Sequence, residues 1–211
     1  MKAEYYNHFG SDEMICDTAR VSMAKTADQY TPEQNARLIR FLAREGHVSP
    51  FHHPQITMRM QAPVPIRTQC FKSKIGFAEN EESRRYISYT PSLHVPSHFR
   101  ERPEGSIKQG SGSVHKNSDV WDRNYKNACN YSIEIYNQMI ADGVCPEQAR
   151  FVLPQGVEVN WIWTGSLAAY ARFYNLRADS HAQVEVRDLA LKVGDIVAPL
   201  FPVAWKELTN D

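Results

Sequence analysis

Val157-Glu158-Val159-Asn160-Trp161 alternates apolar and polar side chains, and Ser166-Leu167-Ala168-Ala169-Tyr170-Ala171-Arg172-Phe173-Tyr174-Asn175-Leu176 beyond it is apolar with no such alternation. A period of two reads as a strand and the longer apolar run as a helix. The same contrast recurs upstream. Gln55 to Gln61 places Ile56, Met58 and Met60 on one face of a strand; Pro63 and Pro65 break it, and Ile66 to Phe71 begins a helix. Thr31-Pro32-Glu33 opens another helix with a cap, a first-turn proline and an acid, and Gly46 ends it. Its buried side is Ala36, Ile39, Phe41, Leu42 and Ala43. A helix fits Asp119 to about Ala141, with Val120, Tyr125, Cys129, Ile133, Tyr136 and Ile140 recurring at helical spacing. Pro146 to Val152 reads as a short helix that Pro154 stops. Val186, Leu189, Ala190, Val193, Ile196 and Val197 mark a final amphipathic helix. Many helices and few strands, without regular strand–helix alternation, give the α+β class.

The 211 residues fit a single domain, 1–211. Pro103, Gly105, Gly110, Gly112 and several serines make the stretch of about 97–118 a mobile loop or lid. Lys plus Arg and Asp plus Glu are both 24, so any basic site must be local, and nucleic acid and membrane surfaces are not expected partners. Cys16, Cys70, Cys129 and Cys145 form no CxxC pair; neither a disulfide framework nor a zinc site is implied, and no metal is expected. That cysteine usage and the lack of a signal-peptide core near Met1 point to the cytoplasm, or to a host cytoplasm if the source is viral.

Chemistry concentrates in three places. Arg67-Thr68-Gln69-Cys70-Phe71-Lys72-Ser73-Lys74 leads through Gly76 into Glu79-Asn80-Glu81-Glu82-Ser83-Arg84-Arg85-Tyr86. Clustered Lys and Arg can hold a phosphate, and Gln69 and Glu81 can fix amide or hydroxyl groups. The alternative is a solvated helix face with an ion pair from Glu81 to Arg85. The second place is Arg150 together with Arg177-Ala178-Asp179-Ser180-His181-Ala182-Gln183; either arginine could instead be an ordinary helix-end residue. The third is Gly46-His47-Val48-Ser49-Pro50-Phe51-His52-His53, where the two histidines on a strand would face opposite ways. Cys70 could be a nucleophile in a basic setting or a buried, inert thiol.

These segments resemble the flavin-dependent thymidylate synthases. That family carries Gln before Arg-His-Arg, seven residues, and Ser, within Asn-Glu-x-Ser-x-Arg-Tyr. Here Gln69 and Asn80 to Tyr86 match, Lys72-Ser73-Lys74 stands for Arg-His-Arg, and the spacer has eight residues. Gln148-Ala149-Arg150-Phe151-Val152-Leu153-Pro154, Asn175 to Gln183 and Gly46 to His53 are similar to its other motifs, with His52 in place of Glu and Ala168 where some members have Arg. The likeness covers about 20–100 and 145–210.

The resemblance implies a helix-rich fold with a small, mostly antiparallel sheet. It implies reductive methylation of dUMP, with carbon from methylenetetrahydrofolate and hydride from FAD reduced by NADPH. It also implies a homotetramer with active sites at subunit interfaces. Nucleotide contacts would come from Gln69, Lys72, Glu81, Glu82, Ser83, Arg84, Arg85, Arg150 and Arg177, with Arg177 catalytic at the N3–C4 edge of the base. Flavin contacts would come from His53, Lys72, Ser73, Lys74, Glu81, Ser166 and Arg172. The altered Lys-Ser-Lys segment leaves open a hydroxymethylating enzyme acting on dUMP or dCMP, or a nucleotide- or flavin-binding protein without catalysis.

Overall fold

The computed structural model describes residues 1–103 and 110–209. The strands among the described residues are β1 (Lys2–Phe9), β2 (Gln55–Pro63), β3 (Phe77–Glu81) and β4 (Glu158–Ser166). Eight α-helices among the described residues are α1 (Asp12–Arg20), α2 (Pro32–Arg44), α3 (Val64–Cys70), α4 (Ser118–Ala141), α5 (Pro146–Ala149), α6 (Leu167–Arg177), α7 (Val184–Val197) and α8 (Pro202–Thr209). The strands are ordered β1-β2-β4-β3 in one small antiparallel sheet, so the helix-rich α+β class holds. Along β2 and β4 the partners run from Thr57 with Thr164 to Val64 with Val157 just past the ends of the two strands: numbers rise on one side as they fall on the other.

Backbone contacts divide the chain into two compact units. The first holds Met1, Gln61–Gln69 and Asn80–Trp161. Here Cys129, Ile133 and Tyr136 turn the inner face of α4 into core, while Val120, expected inside, is exposed. Gly156 leaves room for Tyr125: a Cβ there would fall 1.8 Å from the Tyr125 hydroxyl and displace it from the His94 carbonyl, to which it donates at 2.7 Å. The two arms of the proposed lid are hydrogen-bonded to each other: Glu101 N–H donates to Ser113 O at 2.8 Å and His115 N–H to Phe99 O at 2.8 Å. The middle of that lid, 104–109, lies outside the described residues.

The second unit holds Lys2–Met60, Cys70–Glu79 and Ile162 onward. Its helices pack α1 on α2, α2 on α8, and α6 on both α7 and α8. Phe77 stacks on Trp163 with centroids 4.1 Å apart, and Tyr170 and Phe173 meet Trp163 edge-on. Such aromatic pairs add about 1 kcal/mol each beyond burial. Thr31 caps α2, as expected, and with Gln34 it forms a reciprocal capping box; Gly46 takes φ +70 just past the helix end.

The structure corrects three readings. Residues 77–81 are a strand, not a helix face; Glu81 pairs with Arg67 at 3.2 Å and Arg85 with Glu147 at 3.3 Å, so the Glu81–Arg85 pair is absent. Ser49–His52 is a 3-10 turn with His53 just beyond it, because Pro50 and Pro54 bracket the two histidines and keep them out of β2. The helix at 184–197 is followed by α8, whose N-terminal amides of Val203 and Ala204 are capped by Asp12 at 2.8 and 3.1 Å. That cap lies 191 residues away in the chain, and no local pattern announces it.

Candidate active site

A cavity of about 350 Å³ opens in the first unit. Strand β3 brings Glu81 to its wall; the chain then leaves the sheet, and Glu82, Ser83 and Arg84 follow along the lining. The 3-10 turn after α5 contributes Arg150 and the following Leu153-Pro154. Val157 and Val159, the buried face of the alternating stretch, form an apolar side. Five residues that the sequence places on the nucleotide are therefore brought together: Glu81, Glu82, Ser83, Arg84 and Arg150.

The charges in this cavity are arranged. Burial raises the Glu81 carboxyl above its ordinary range, the nearby Arg67 cation pulls it back down, and the Glu82 charge raises it again. Arg84 is only 8% exposed. It donates through Nη1 to the Tyr89 carbonyl, and its guanidinium lies over the Tyr89 ring, 4.4 Å from the centroid. Ser83 Oγ accepts from the Arg85 amide at 3.3 Å. Arg85 itself is exposed and pairs with Glu147, whose carbonyl accepts from Arg150 Nε at 3.2 Å. Arg85 is thus tied to the Arg150 turn without lining the cavity. Gln69, half-buried near the end of α3, also lies in this unit and outside the lining.

Arg67 was not among the expected ligands. It lines the cavity and holds Glu81, and the signal for it was its place two residues before Gln69 in the same basic run. Tyr89 had no signal at all, because the motif ends at Tyr86.

The remaining candidates lie in the second unit. Lys72 and Lys74 are exposed on the bend between α3 and β3; Lys74 pairs with Glu79 and sits 5.2 Å from the Phe71 ring centroid. Gly76 makes the bend possible, with φ +79 and only 2.9 Å between its would-be Cβ and that of Ala169. Ser73 is half-buried and His53 exposed. Arg172 donates to the Ile75 carbonyl and so braces the same bend. Ser166 is placed differently from a ligand contact: it is 1% exposed, it caps α6 by accepting from Ala169 N at 3.2 Å, and it meets His52 Nδ1 at 3.1 Å.

Arg177 ends α6 half-buried, with its Nε enclosed. Its cation reaches Cys70, yet burial dominates and pushes the Cys70 thiol up to about 12. Cys70 is fully buried. A thiol so placed is a core residue, not a nucleophile.

Known proteins match this arrangement along most of the chain. The family described as "Thymidylate synthase complementing protein" matches residues 5–203. A flavin-dependent thymidylate synthase of Thermosipho africanus is 33% identical over 192 residues, 89% of this chain and 81% of that protein. One from Kosmotoga olearia is 32% identical over 203 residues, covering 95% and 86%. The solved UMP/dUMP methylase PolB from Streptomyces cacaoi, bound with 5-Br dUMP, superposes with a TM-score of 0.88 at 26% identity, over 99% of this chain and 94% of that one. Motifs, fold and matched length agree: the chain belongs to the thymidylate synthase complementing family, the flavin-dependent thymidylate synthases.

Proposed function

We propose that this protein converts dUMP to dTMP by flavin-dependent reductive methylation, with methylenetetrahydrofolate as carbon donor and NADPH as reductant. Membership of the family makes it an enzyme of the methyltransferase class. The observation that carries the finer reading is the cavity in which Glu81, Glu82, Ser83, Arg84 and Arg150 converge. Three arginines, counting Arg67, against two carboxylates leave it net positive, which suits a nucleotide monophosphate.

Within this reading, Ser83, Arg84 and Arg150 bind the phosphate and sugar, and Arg85 steadies the Arg150 turn through Glu147. Gln69 and Arg177 address the base. A fixed guanidinium beside the N3–C4 edge stabilises the negative charge that develops on O4 as C5 becomes nucleophilic.

The donor set of the second unit fits FAD: a diphosphate needs cationic donors, and Lys72, Lys74 and Arg172 are exposed there, with the His53 ring exposed as well. Ser73 would add a hydroxyl, whereas the Ser166 hydroxyl is already engaged with Ala169 and His52. Bound FAD would supply the hydride that completes the methyl group. Glu81 would serve either ligand. The reading includes a homotetramer with shared active sites in a reducing cytoplasm, and exposed Tyr5, Tyr6 and Phe9 along β1 are apt for burial between subunits.

The test is the mass of the nucleotide product after incubating the protein with dUMP, methylenetetrahydrofolate, FAD and NADPH. Gain of a methyl group is expected. Gain of a hydroxymethyl group would replace methylation with the alternative chemistry, conversion of dCMP alone would move the base to cytosine, and no conversion of either would leave a binding protein.

A further inference from the structure

The two motif positions that the family leaves variable, Glu82 and Arg84, are joined here by a residue outside the motif. Tyr89 donates its hydroxyl to Glu82 Oε1 at 2.6 Å. The same Oε1 stands 4.0 Å from Arg84 Nη2. The Tyr89 carbonyl accepts from Arg84 Nη1, and its ring lies under the guanidinium at 4.4 Å. One tyrosine therefore engages Arg84 by its backbone, its ring and, through Glu82, its hydroxyl. What it leaves over is Arg84 Nε, which is enclosed and makes no hydrogen bond among the described residues. Arg84 lines the cavity and is only 8% exposed. That N–H is closed off, so what Arg84 presents to the cavity is the charge of a guanidinium held by these contacts.

We propose that Tyr89 and Glu82 are positioning residues that hold the Arg84 guanidinium at the cavity wall, so that its charge is fixed in place for the phosphate of the bound nucleotide. The inference rests on the nucleotide reading of this cavity. Arg84 stands where the motif accepts any residue, and a long cation there needs an anchor that a small residue would not. Glu82 contributes by accepting from Tyr89 and facing Arg84 with its charge, which leaves the nucleotide to the arginine.

The experiment is calorimetric titration of the full-length protein with dUMP and, separately, with deoxyuridine, which has the same base and sugar but no phosphate. Tyr89→Phe keeps the ring and the carbonyl and removes only the hydroxyl. It is expected to weaken dUMP binding about fivefold, the size of one hydrogen bond to a charged network, and to leave deoxyuridine unchanged. Arg84→Met should weaken dUMP at least as much, and Tyr89→Phe with Arg84→Met should be no weaker than Arg84→Met alone, because Tyr89 acts through Arg84. If Tyr89→Phe leaves dUMP affinity intact, the clamp is wrong. Equal weakening of dUMP and deoxyuridine overturns it too, since Tyr89 then only shapes the wall, and so do additive losses in the double variant. A wild-type protein that binds no dUMP would instead overturn the nucleotide reading itself, and the clamp with it.

Discussion

Cys70 and Arg177 show at the residue scale how two nearby side chains divide between structure and chemistry. The Arg177 cation favours a thiolate at Cys70, but full burial outweighs it and holds the thiol up at about 12. At pH 8 such a thiol stays protonated. Cys16 is buried and pushed up to about 11 in the same way, Cys129 is buried, and Cys145 is exposed. In the native protein a disulfide reagent at pH 8 should therefore titrate one thiol rapidly, Cys145, and the others only after denaturation. Rapid labelling of Cys70 would contradict this burial. Replacing Arg177 by Ala should lower turnover by about 10² to 10³, the usual cost of removing one preorganised donor. Bound flavin should hardly change. Parallel loss of flavin and turnover would make Arg177 a structural residue.

At the scale of elements, the bend between α3 and β3 carries the lysine-rich segment, and its shape depends on Gly76. An alanine there would have to adopt φ +79 and meet the Ala169 Cβ at 2.9 Å. Gly76→Ala should destabilise the fold by about 1–3 kcal/mol, read as a lowered urea midpoint at unchanged slope. Thr31→Ala removes half of the capping box on α2 and should cost about 1 kcal/mol by the same measurement. A midpoint within error of wild type in either case would mean that the local geometry relaxes without cost. These elements also mark what the sequence can express. Thr31, Gln34 and Gly46 bound α2 by local hydrogen bonds and backbone conformation, so its ends were readable. Ser11 accepts from Met14 N ahead of two first-turn acids, so α1 carried its own legible signal as well. Strand β1 did not. Most of its side chains are exposed, so no apolar face betrays it.

At the scale of the whole molecule, Asp12 connects the first helix with the last. Both of its oxygens accept amides of α8, yet burial outweighs these bonds and raises its pKa above 3.8. A carboxyl raised on folding contributes fully below its unfolded pKa, and that contribution fades as the pH rises through the folded value. The melting temperature of wild type relative to Asp12→Asn should accordingly fall as pH climbs from about 3.8 toward neutrality. A difference independent of pH would show that Asp12 titrates alike in both states. Light scattering should give four times the 24.2 kDa chain mass if the tetramer forms. A monomer would remove shared active sites from the functional reading.

The sequence alone settled the class, the ends of α2 and the strands with one apolar face, because those are written in spacings of two to four residues. It also assembled Glu81, Ser83, Arg84 and Arg150 on paper, since their motifs lie in order along the chain. Only the tertiary structure decided that Glu81 answers to Arg67 rather than Arg85, that Ser166 is enclosed beneath the Gly76 bend, and that Tyr89 anchors Arg84. It also supplied the cap of α8 from Asp12. Each of those depends on groups brought together by packing, and a carboxylate's partner or a buried donor's neighbour is fixed by the distance across the fold, not along the chain.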